Sequence, residues 1–138
     1  MTYYRTIHFS DTDAAGVVYF AALLSICHEA YENSLQVAVI DLKTFFTNSD
    51  IAIPIIHAEI DFYQPLFCGD RIQINLTPVQ LNETEFEINY QVFHESNLEK
   101  LIAKATTKHV SINPKIRKRS PLSLPIIQWL QSNMVCDR

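Results

Sequence analysis

Three stretches of the chain alternate apolar and polar side chains with a period of two, and this pattern constrains the fold more than any other feature. Successive side chains of a β-strand point to opposite faces, so the alternation is typical of strands with one buried face. Short turns separate the stretches, whereas a parallel crossover needs about a dozen residues or more. The pattern therefore predicts neighbouring antiparallel strands at 58–63, 71–77 and 86–92.

One long amphipathic helix precedes these strands. From Val18 to Gln36 the apolar residues recur at three- and four-residue steps, the period of a helix of about five turns. Two further strands are predicted at 3–9 and at 101–112. In the second of these the alternation changes phase near His109, so the pattern does not determine which of its side chains face the core. Because one sheet face needs cover and this helix is the only element large enough, we predict an α+β fold with the sheet wrapped on the helix.

The C-terminal part of the chain is predicted to be helical. Ser120 would be the N-cap and Pro121 the first helical residue, so that a basic segment and this helix occupy about 113–132. No linker or repeat divides the chain, and 138 residues suffice for one core but not for two. We therefore expect a single domain over residues 1–138.

The composition excludes several classes of protein and of binding site. Gly16 and Gly69 are the only glycines, which excludes a Walker-type phosphate loop and a G-x-G-x-x-G fingerprint. The longest apolar stretches, such as 17–24, are shorter than the roughly 20 residues of a membrane span, and no secretion signal is expected. The five histidines share no metal-ligand spacing, so no metal site is expected. Three cysteines without metal-type spacing indicate reduced thiols and a cytoplasmic location: Cys27, Cys68 and Cys136.

Positive charge is concentrated at the end of an otherwise acidic chain. Residues 1–99 hold three basic and fourteen acidic side chains, whereas residues 100–138 hold eight basic and one acidic. A charge run of this kind is usually a solvated face, but clustered cations also attract phosphate groups. Nucleic acid is not an expected partner, because the whole chain is acidic and no aromatic residue interleaves with the basic run. The run consists of Lys115, Arg117, Lys118 and Arg119.

The segment from Asp11 to Phe20, between the first strand and the helix, is the best candidate for a reactive site. Its carboxylates lie a few residues ahead of a helix whose first amides have no partner within the helix. Such amides can stabilise a carbonyl oxygen as it becomes an oxyanion, and Gly16 would let a substrate approach the backbone closely. This combination suits attack on an activated acyl group. Ordinary N-capping by Asp and Thr is the alternative interpretation.

This segment resembles the active-site signature of the hot-dog-fold acyl-CoA thioesterases of the 4-hydroxybenzoyl-CoA thioesterase family: D-x-D, two small residues and Gly, two apolar residues, then an aromatic one. The resemblance covers nearly the whole chain, because the order of elements is also that of the family. It implies a hot-dog fold with Asp13 as the catalytic residue, either nucleophile or general base. The backbone amide of Phe20 would polarise the thioester carbonyl. Substrate contacts are implied for Gly16, Val17 and Tyr19.

Four segments also resemble the cyanobacterial 1,4-dihydroxy-2-naphthoyl-CoA hydrolases of phylloquinone synthesis. The implied reaction is hydrolysis of an aromatic acyl-CoA, in which coenzyme A is part of the substrate and no separate cofactor is expected. The alternatives are a general short-chain or acyl-carrier-linked thioesterase and a non-catalytic acyl-binding module of the same fold. The intact Asp13 favours catalysis, because a binding module has no need for a carboxylate beside the carbonyl. The segments are 17–20, 27–32, 54–62 and 68–71.

The resemblance further implies substrate contacts outside the loop and a second subunit. Pro54 and His57 lie in one of the matching segments, and His57 is either a donor to a phenolic hydroxyl of the acyl group or a half-exposed strand histidine. Hot-dog subunits usually pair their sheets edge to edge, so we expect a homodimer or tetramer in which His57 faces the partner's Asp13. A flat aromatic pocket is expected from Tyr19, Phe45, Phe46 and Tyr63.

The phosphates of coenzyme A need a positively charged site. Where the bacterial 4-hydroxybenzoyl enzyme binds them with paired arginines, this chain has the acidic segment 82–85. The basic run between Lys115 and Arg119 is therefore the expected phosphate site. On the helix, Cys27 falls in the apolar series and is expected in the core, with Glu29 and its neighbour His28 in structural roles.

Overall fold

The structure, a computed structural model, describes residues 1–136 as seven strands and three α-helices, with one 3-10 turn at Phe9–Asp11. The helices are α1 (Phe20–Val37), α2 (Leu42–Thr47) and α3 (Leu124–Cys136). The strands are β1 (Thr2–Thr6), β2 (Ile55–Phe62), β3 (Arg71–Gln80), β4 (Glu85–His94), β5 (Asn97–Val110), β6 (Ile112–Asn113) and β7 (Lys118–Arg119).

The predicted antiparallel sheet is confirmed, but one predicted pairing is wrong. The sheet has five strands in the order β1-β3-β4-β5-β2, so β2 pairs with β5 and not with the next strand in sequence, β3. The physical reason lies at the end of β2, where the amides of Tyr63 and Gln64 both donate to the carbonyl of Ile102. The chain leaves the sheet at this point, and β1 occupies the place beside β3.

The predicted long helix is confirmed, with its start two residues later than the apolar period indicates. Val18 is paired with Thr12 in an isolated bridge, and Tyr19 is the N-cap, so α1 begins at Phe20. The first strand is shorter than predicted, because the chain turns into the 3-10 segment soon after Thr6. The core lies between one face of the sheet and the helices α1 and α3. Its fully buried members include Leu23, Tyr31 and Leu35 on α1, and Ile74, Phe86 and Tyr90 on the sheet.

The predicted start of the C-terminal helix is wrong. Ser120 and Pro121 precede the helix, because the amide of Ser120 donates to Ser111 and that of Leu122 donates to Glu83, which holds this segment extended. The helix α3 begins at Leu124 and runs to Cys136. Proline at its second position is tolerated, since the first amides of a helix have no partner within it.

The edge strand β2 departs from the expectation of one buried face. Of its eight residues only Ile60 is half-buried, whereas Ala58 and Phe62 on the same face are exposed. The opposite face carries His57 and Glu59. Within the chain, β2 therefore has an unpaired edge and an uncovered apolar face. None of the described helices is long and apolar enough to cross a membrane.

The sheet also buries the side chain of His109. The sequence pattern does not determine which face of the sheet this side chain lies on. The His109 side chain lies in the core, stacked on Phe86 with a ring-centroid distance of 4.7 Å and an interplanar angle of 7°. Its Nε2 is 2.8 Å from the hydroxyl of Thr107, which is 3.2 Å from the hydroxyl of Tyr90. Burial, with a smaller contribution from His28, lowers the pKa of His109 from 6.5 to about 3.

This lowered pKa predicts a loss of stability in mild acid. Between pH 6.5 and about 3, the unfolded chain binds a proton at His109 and the folded chain does not. The free energy of unfolding should therefore fall as the pH falls, by at most about 1.4 kcal/mol per pH unit from this group. Urea unfolding of the wild type and of His109→Phe, at pH 7 and at pH 5, measures the effect. The variant should lose less stability on acidification, and an equal loss in both proteins would contradict the prediction.

Candidate active site

The segment before α1 folds into a narrow loop held by its own backbone. The amide of Asp13 donates to the carbonyl of Val17 (2.9 Å), and the amide of Tyr19 donates to the carbonyl of Asp11 (3.0 Å). The amide of Gly16 closes the tip by donating to Asp13 (3.0 Å). Gly16 has a φ of +80°, a conformation that side chains with a Cβ rarely adopt. The paired base of the loop thus leads directly into the helix, since Tyr19 is its N-cap.

The carboxylate of Asp13 lies exposed at this tip. Its Oδ1 accepts a hydrogen bond from the amide of Ala15 (2.8 Å), within the same turn. The N-cap of α1 is Tyr19, which makes no side-chain hydrogen bond to the helix. Asp13 therefore does not cap α1, so the N-capping alternative is wrong for this residue. Its second oxygen accepts no hydrogen bond from the described residues.

The first amides of α1 are open to a ligand. The amide of Leu23 donates to Tyr19, but in the described part of the chain the amide of Phe20 has no hydrogen-bond acceptor. The aligned peptide dipoles of an 18-residue helix give its N-terminus a partial positive charge. A carbonyl oxygen bound at Phe20 would therefore be polarised.

A cavity of about 500 Å³ is lined by both Asp13 and Phe20. One wall comes from the loop and the start of α1, and the other comes from the end of β2 and the chain after it. The amide of Val18 donates to the carbonyl of Leu66 (2.9 Å), which holds the two walls together. The loop wall consists of Asp13 and 17–20, and the second wall consists of 62–66.

Most of the second wall was not predicted from the sequence. Tyr63 is the exception, since it belongs to the expected aromatic pocket and lines the cavity together with Tyr19. The unexpected members are Phe62, Gln64, Pro65 and Leu66. Phe62 and Tyr63 are adjacent aromatic residues at the end of a predicted strand, and this sequence feature could have identified both as pocket residues. The Val18–Leu66 hydrogen bond that brings them to the loop has no such signal.

Several predicted substrate contacts lie elsewhere in the chain. Pro54 lines a separate cleft of about 280 Å³, together with Phe45 and Phe46, so these two aromatic residues do not join the pocket expected from them. His57 is half-exposed on β2, with its Nε2 3.8 Å from a carboxylate oxygen of Glu59. Within one chain, neither Pro54 nor His57 lines the cavity that holds Asp13.

The basic run lies in the turn and the second strand of the hairpin of β6 and β7, and two of its four cations are paired with carboxylates. Lys115 lies 3.4 Å from Asp50. Arg119 is paired with Glu85, and this hydrogen bond is the main reason why the pKa of Glu85 is lowered. The acidic segment 82–85 therefore lies against the basic run. No carboxylate among the described residues is paired with the other two cations, Arg117 and Lys118.

The residues expected to be structural have structural surroundings. Cys27 is completely buried, and burial raises the pKa of its thiol to about 12, which excludes an activated thiolate. Glu29 is paired with Arg5, whose Nε lies 2.8 Å from its carboxylate. Arg5 also binds Asp11 at 2.7 Å. Burial by itself would raise the pKa of Asp11, but the hydrogen bonds from Arg5 and from the amide of His8 outweigh it and lower that pKa.

Comparison with known proteins gives a consistent result over nearly the whole chain. The model of the thioesterase-like superfamily matches residues 7–131. A protein of Crocosphaera subtropica named 1,4-dihydroxy-2-naphthoyl-CoA hydrolase is 87% identical over 133 residues, which are 96% of this chain and 97% of that protein. A protein of Rippkaea orientalis with the same name is 64% identical, over 94% of both chains. A crystal structure of a 1,4-dihydroxy-2-naphthoyl-CoA thioesterase from Synechocystis superimposes with a TM-score of 0.89, at 40% identity and 94% coverage of both chains.

Proposed function

The chain belongs to the thioesterase-like superfamily, and from that premise we propose that it hydrolyses 1,4-dihydroxy-2-naphthoyl-CoA to 1,4-dihydroxy-2-naphthoate and coenzyme A, a reaction of phylloquinone synthesis. The observation that carries the proposal is one cavity lined both by Asp13, whose carboxylate is exposed, and by Phe20, whose backbone amide has no acceptor among the described residues. The names of the two similar relatives and of the structural neighbour support the acyl group.

In the proposed mechanism the thioester carbonyl oxygen accepts a hydrogen bond from the amide of Phe20. Negative charge develops on this oxygen in the transition state, and one such donor contributes about 3 kcal/mol. Asp13 either attacks the carbonyl carbon or removes a proton from the attacking water. In both cases the bond between carbon and sulfur breaks, and water supplies the hydroxyl of the acid and the proton of the thiol. The free second oxygen of Asp13 supports either role.

The cavity walls suit a planar aromatic acyl group with hydroxyl substituents. Phe20 and Phe62 offer apolar ring surface, while Tyr19, Tyr63 and Gln64 bring polar groups to the same space. The side chain of Gln64 has no hydrogen-bond partner among the described residues, so both its donor and its acceptor are open to a ligand. A site that hydrogen-bonds a hydroxyl discriminates strongly against an analogue without it.

The coenzyme A phosphates are proposed to bind at the basic hairpin. Arg117 and Lys118 are its available cations, since Lys115 and Arg119 are paired with carboxylates. The nucleotide lies far from the thioester and would be bound equally in the ground and transition states. These residues would therefore lower KM without raising kcat. Gly16, at the loop tip, would give the pantetheine arm close access to the backbone.

The functional unit is proposed to be a homodimer or tetramer. The edge strand β2 exposes an unpaired backbone and an apolar face, which a second copy would cover. Antiparallel pairing of two β2 strands brings the His57 end of one strand toward the Phe62 end of the other. Pro54 and His57 would in this way reach the cavity of the other subunit, where His57 would face the partner's Asp13.

A cytoplasmic location is part of the same proposal. It is supported by the free thiols of Cys27 and Cys68, since cysteines stay reduced in that compartment. The third thiol, that of Cys136, lies outside the described side chains.

The role of Asp13 predicts the behaviour of the variant Asp13→Asn. The amide keeps the shape of the side chain but is a poor nucleophile and a poor base, so kcat should fall by about a thousandfold or more. The affinity for the substrate should change little. Single-turnover kinetics and isothermal titration calorimetry measure these two quantities, with Asp11→Asn as the matched control that should lose less. Turnover near the wild-type rate, with deamidation excluded by mass spectrometry, would contradict the mechanism.

The proposed substrate predicts the order of activities on a panel of thioesters. The naphthoyl thioester should have a kcat/KM at least about a hundredfold above those of benzoyl-CoA and palmitoyl-CoA, because both analogues leave the polar groups of the cavity unpaired. Gln64→Leu should reduce this ratio. Equal activity on palmitoyl-CoA and the naphthoyl thioester would indicate a general thioesterase. Binding without hydrolysis of any thioester would indicate an acyl-binding module.

The proposed assembly predicts a mass of at least twice the 15.9 kDa of one chain in light scattering. Ile56→Lys puts a charge on the edge strand β2, at a side chain that is 53% exposed within one chain, and should produce a monomer with little activity. The matched control is Tyr4→Lys on the other edge strand, β1, where the side chain is 51% exposed. It should remain oligomeric and active. An active wild-type monomer would contradict the assembly.

A further inference from the structure

Arg5 connects three separate elements behind the candidate active site. From β1, its guanidinium reaches both carboxylate oxygens of Asp11, at 2.7 and 3.4 Å. It also reaches both oxygens of Glu29 on α1, at 2.8 and 3.5 Å. The side chains of Arg5 and Asp11 are only 14% and 13% exposed. Neither lines the cavity, so neither is expected to touch the substrate. We name this cluster of Arg5, Asp11 and Glu29 the arginine clamp.

The clamp fixes the base of the loop of residues 11–19, here called the reactive loop. Asp11 accepts a hydrogen bond from the amide of His8 at its carboxylate (2.8 Å) and one from the amide of Tyr19 at its carbonyl (3.0 Å). Tyr19 directly precedes Phe20, and Asp13 is two residues after Asp11. The position of Asp11 therefore determines where both the carboxylate and the open amide lie. A shift of Asp11 would move both of them.

The clamp also fixes the helix relative to the loop. Glu29 lies on α1, nine residues after Phe20, and its second contact is with the hydroxyl of Tyr3 (3.3 Å). One planar guanidinium with fixed donor directions thus joins the strand, the loop and the helix. Lysine has the same charge but cannot bind two carboxylates with this geometry.

From these contacts we propose that Arg5 is a positioning residue for hydrolysis, which sets the Asp13 carboxylate against the thioester carbonyl held at the amide of Phe20. The proposal rests on the proposed function, because it assigns a geometric requirement to the same two groups. Misplacement of a reacting group by about 1 Å can cost a hundredfold in rate. The clamp is thus expected to act on kcat, while substrate binding is largely unaffected.

The alternative is that the clamp stabilises the fold and has no effect on the chemistry. The chain offers a matched control in Arg71, which binds Glu95 at 2.9 Å and the hydroxyl of Thr6 at 3.2 Å. Arg71 is 54% exposed and lies outside the cavity. Both arginines join neighbouring elements through a carboxylate, but only Arg5 contacts the reactive loop.

The experiment compares Arg5→Lys with Arg71→Lys, using the acyl-CoA that the wild type hydrolyses fastest. Arg5→Lys should lower kcat by about tenfold to a hundredfold, with KM within about twofold of the wild type, at a temperature well below the melting temperature of each variant. Arg71→Lys should leave both constants unchanged. In an Asp13→Asn background, Arg5→Lys should cause a smaller fold-loss than in the wild-type background, because one of the two groups that the clamp positions, the Asp13 carboxylate, is already absent.

Two results would overturn the proposal. One is an Arg5→Lys variant with unchanged kcat, whatever its melting temperature. The other is an equal fold-loss from Arg5→Lys in the wild-type and Asp13→Asn backgrounds, which would show that Arg5 acts independently of Asp13. A wild type that hydrolyses acyl-CoA substrates but not the naphthoyl thioester would contradict the proposed substrate alone. In that case the clamp would still be tested on the preferred substrate.

Discussion

The backbone pairing of residues 11–13 with residues 17–19, directly in front of α1, is the constraint on which the site depends. It is held by the hydrogen bonds from Asp13 to Val17 and from Tyr19 to Asp11. Because the Asp13 carboxylate is hydrogen-bonded within its own turn, it does not cap the helix. The amide of Phe20 at the start of α1 therefore stays open. The carboxylate proposed as nucleophile or base and the amide proposed as oxyanion donor thus belong to residues that line one cavity.

The same constraint connects the site to the edge of the sheet. The amide of Val18, just before the helix, donates to Leu66, and the chain before Leu66 is the end of the edge strand β2. The cavity therefore opens where the chain exposes its uncovered apolar face. In the proposed assembly, a second subunit both covers this face and completes the acyl site. Catalysis and oligomerisation would then depend on the same strand.

The elements that follow from a local period could be predicted from the sequence, and those that depend on distant contacts could not. The α1 helix and the alternating strands β3 and β4 follow from side-chain spacing. The pairing of β2 with β5 depends on where the chain leaves the sheet, at Tyr63 and Gln64, and no period encodes that point. In the same way, the motif identifies the Asp13 wall of the cavity, whereas the wall from Phe62 to Leu66 arises from one tertiary hydrogen bond.

The central claim is that the carbonyl of the thioester lies between the amide of Phe20 and the side chain of residue 13. A crystal structure of Asp13→Asn with intact 1,4-dihydroxy-2-naphthoyl-CoA tests it most directly. The carbonyl oxygen should lie about 2.7–3.1 Å from the amide nitrogen of Phe20, with the side chain of residue 13 beside the carbonyl carbon. A carbonyl oxygen bound elsewhere, with the amide of Phe20 still unpaired, would contradict the account.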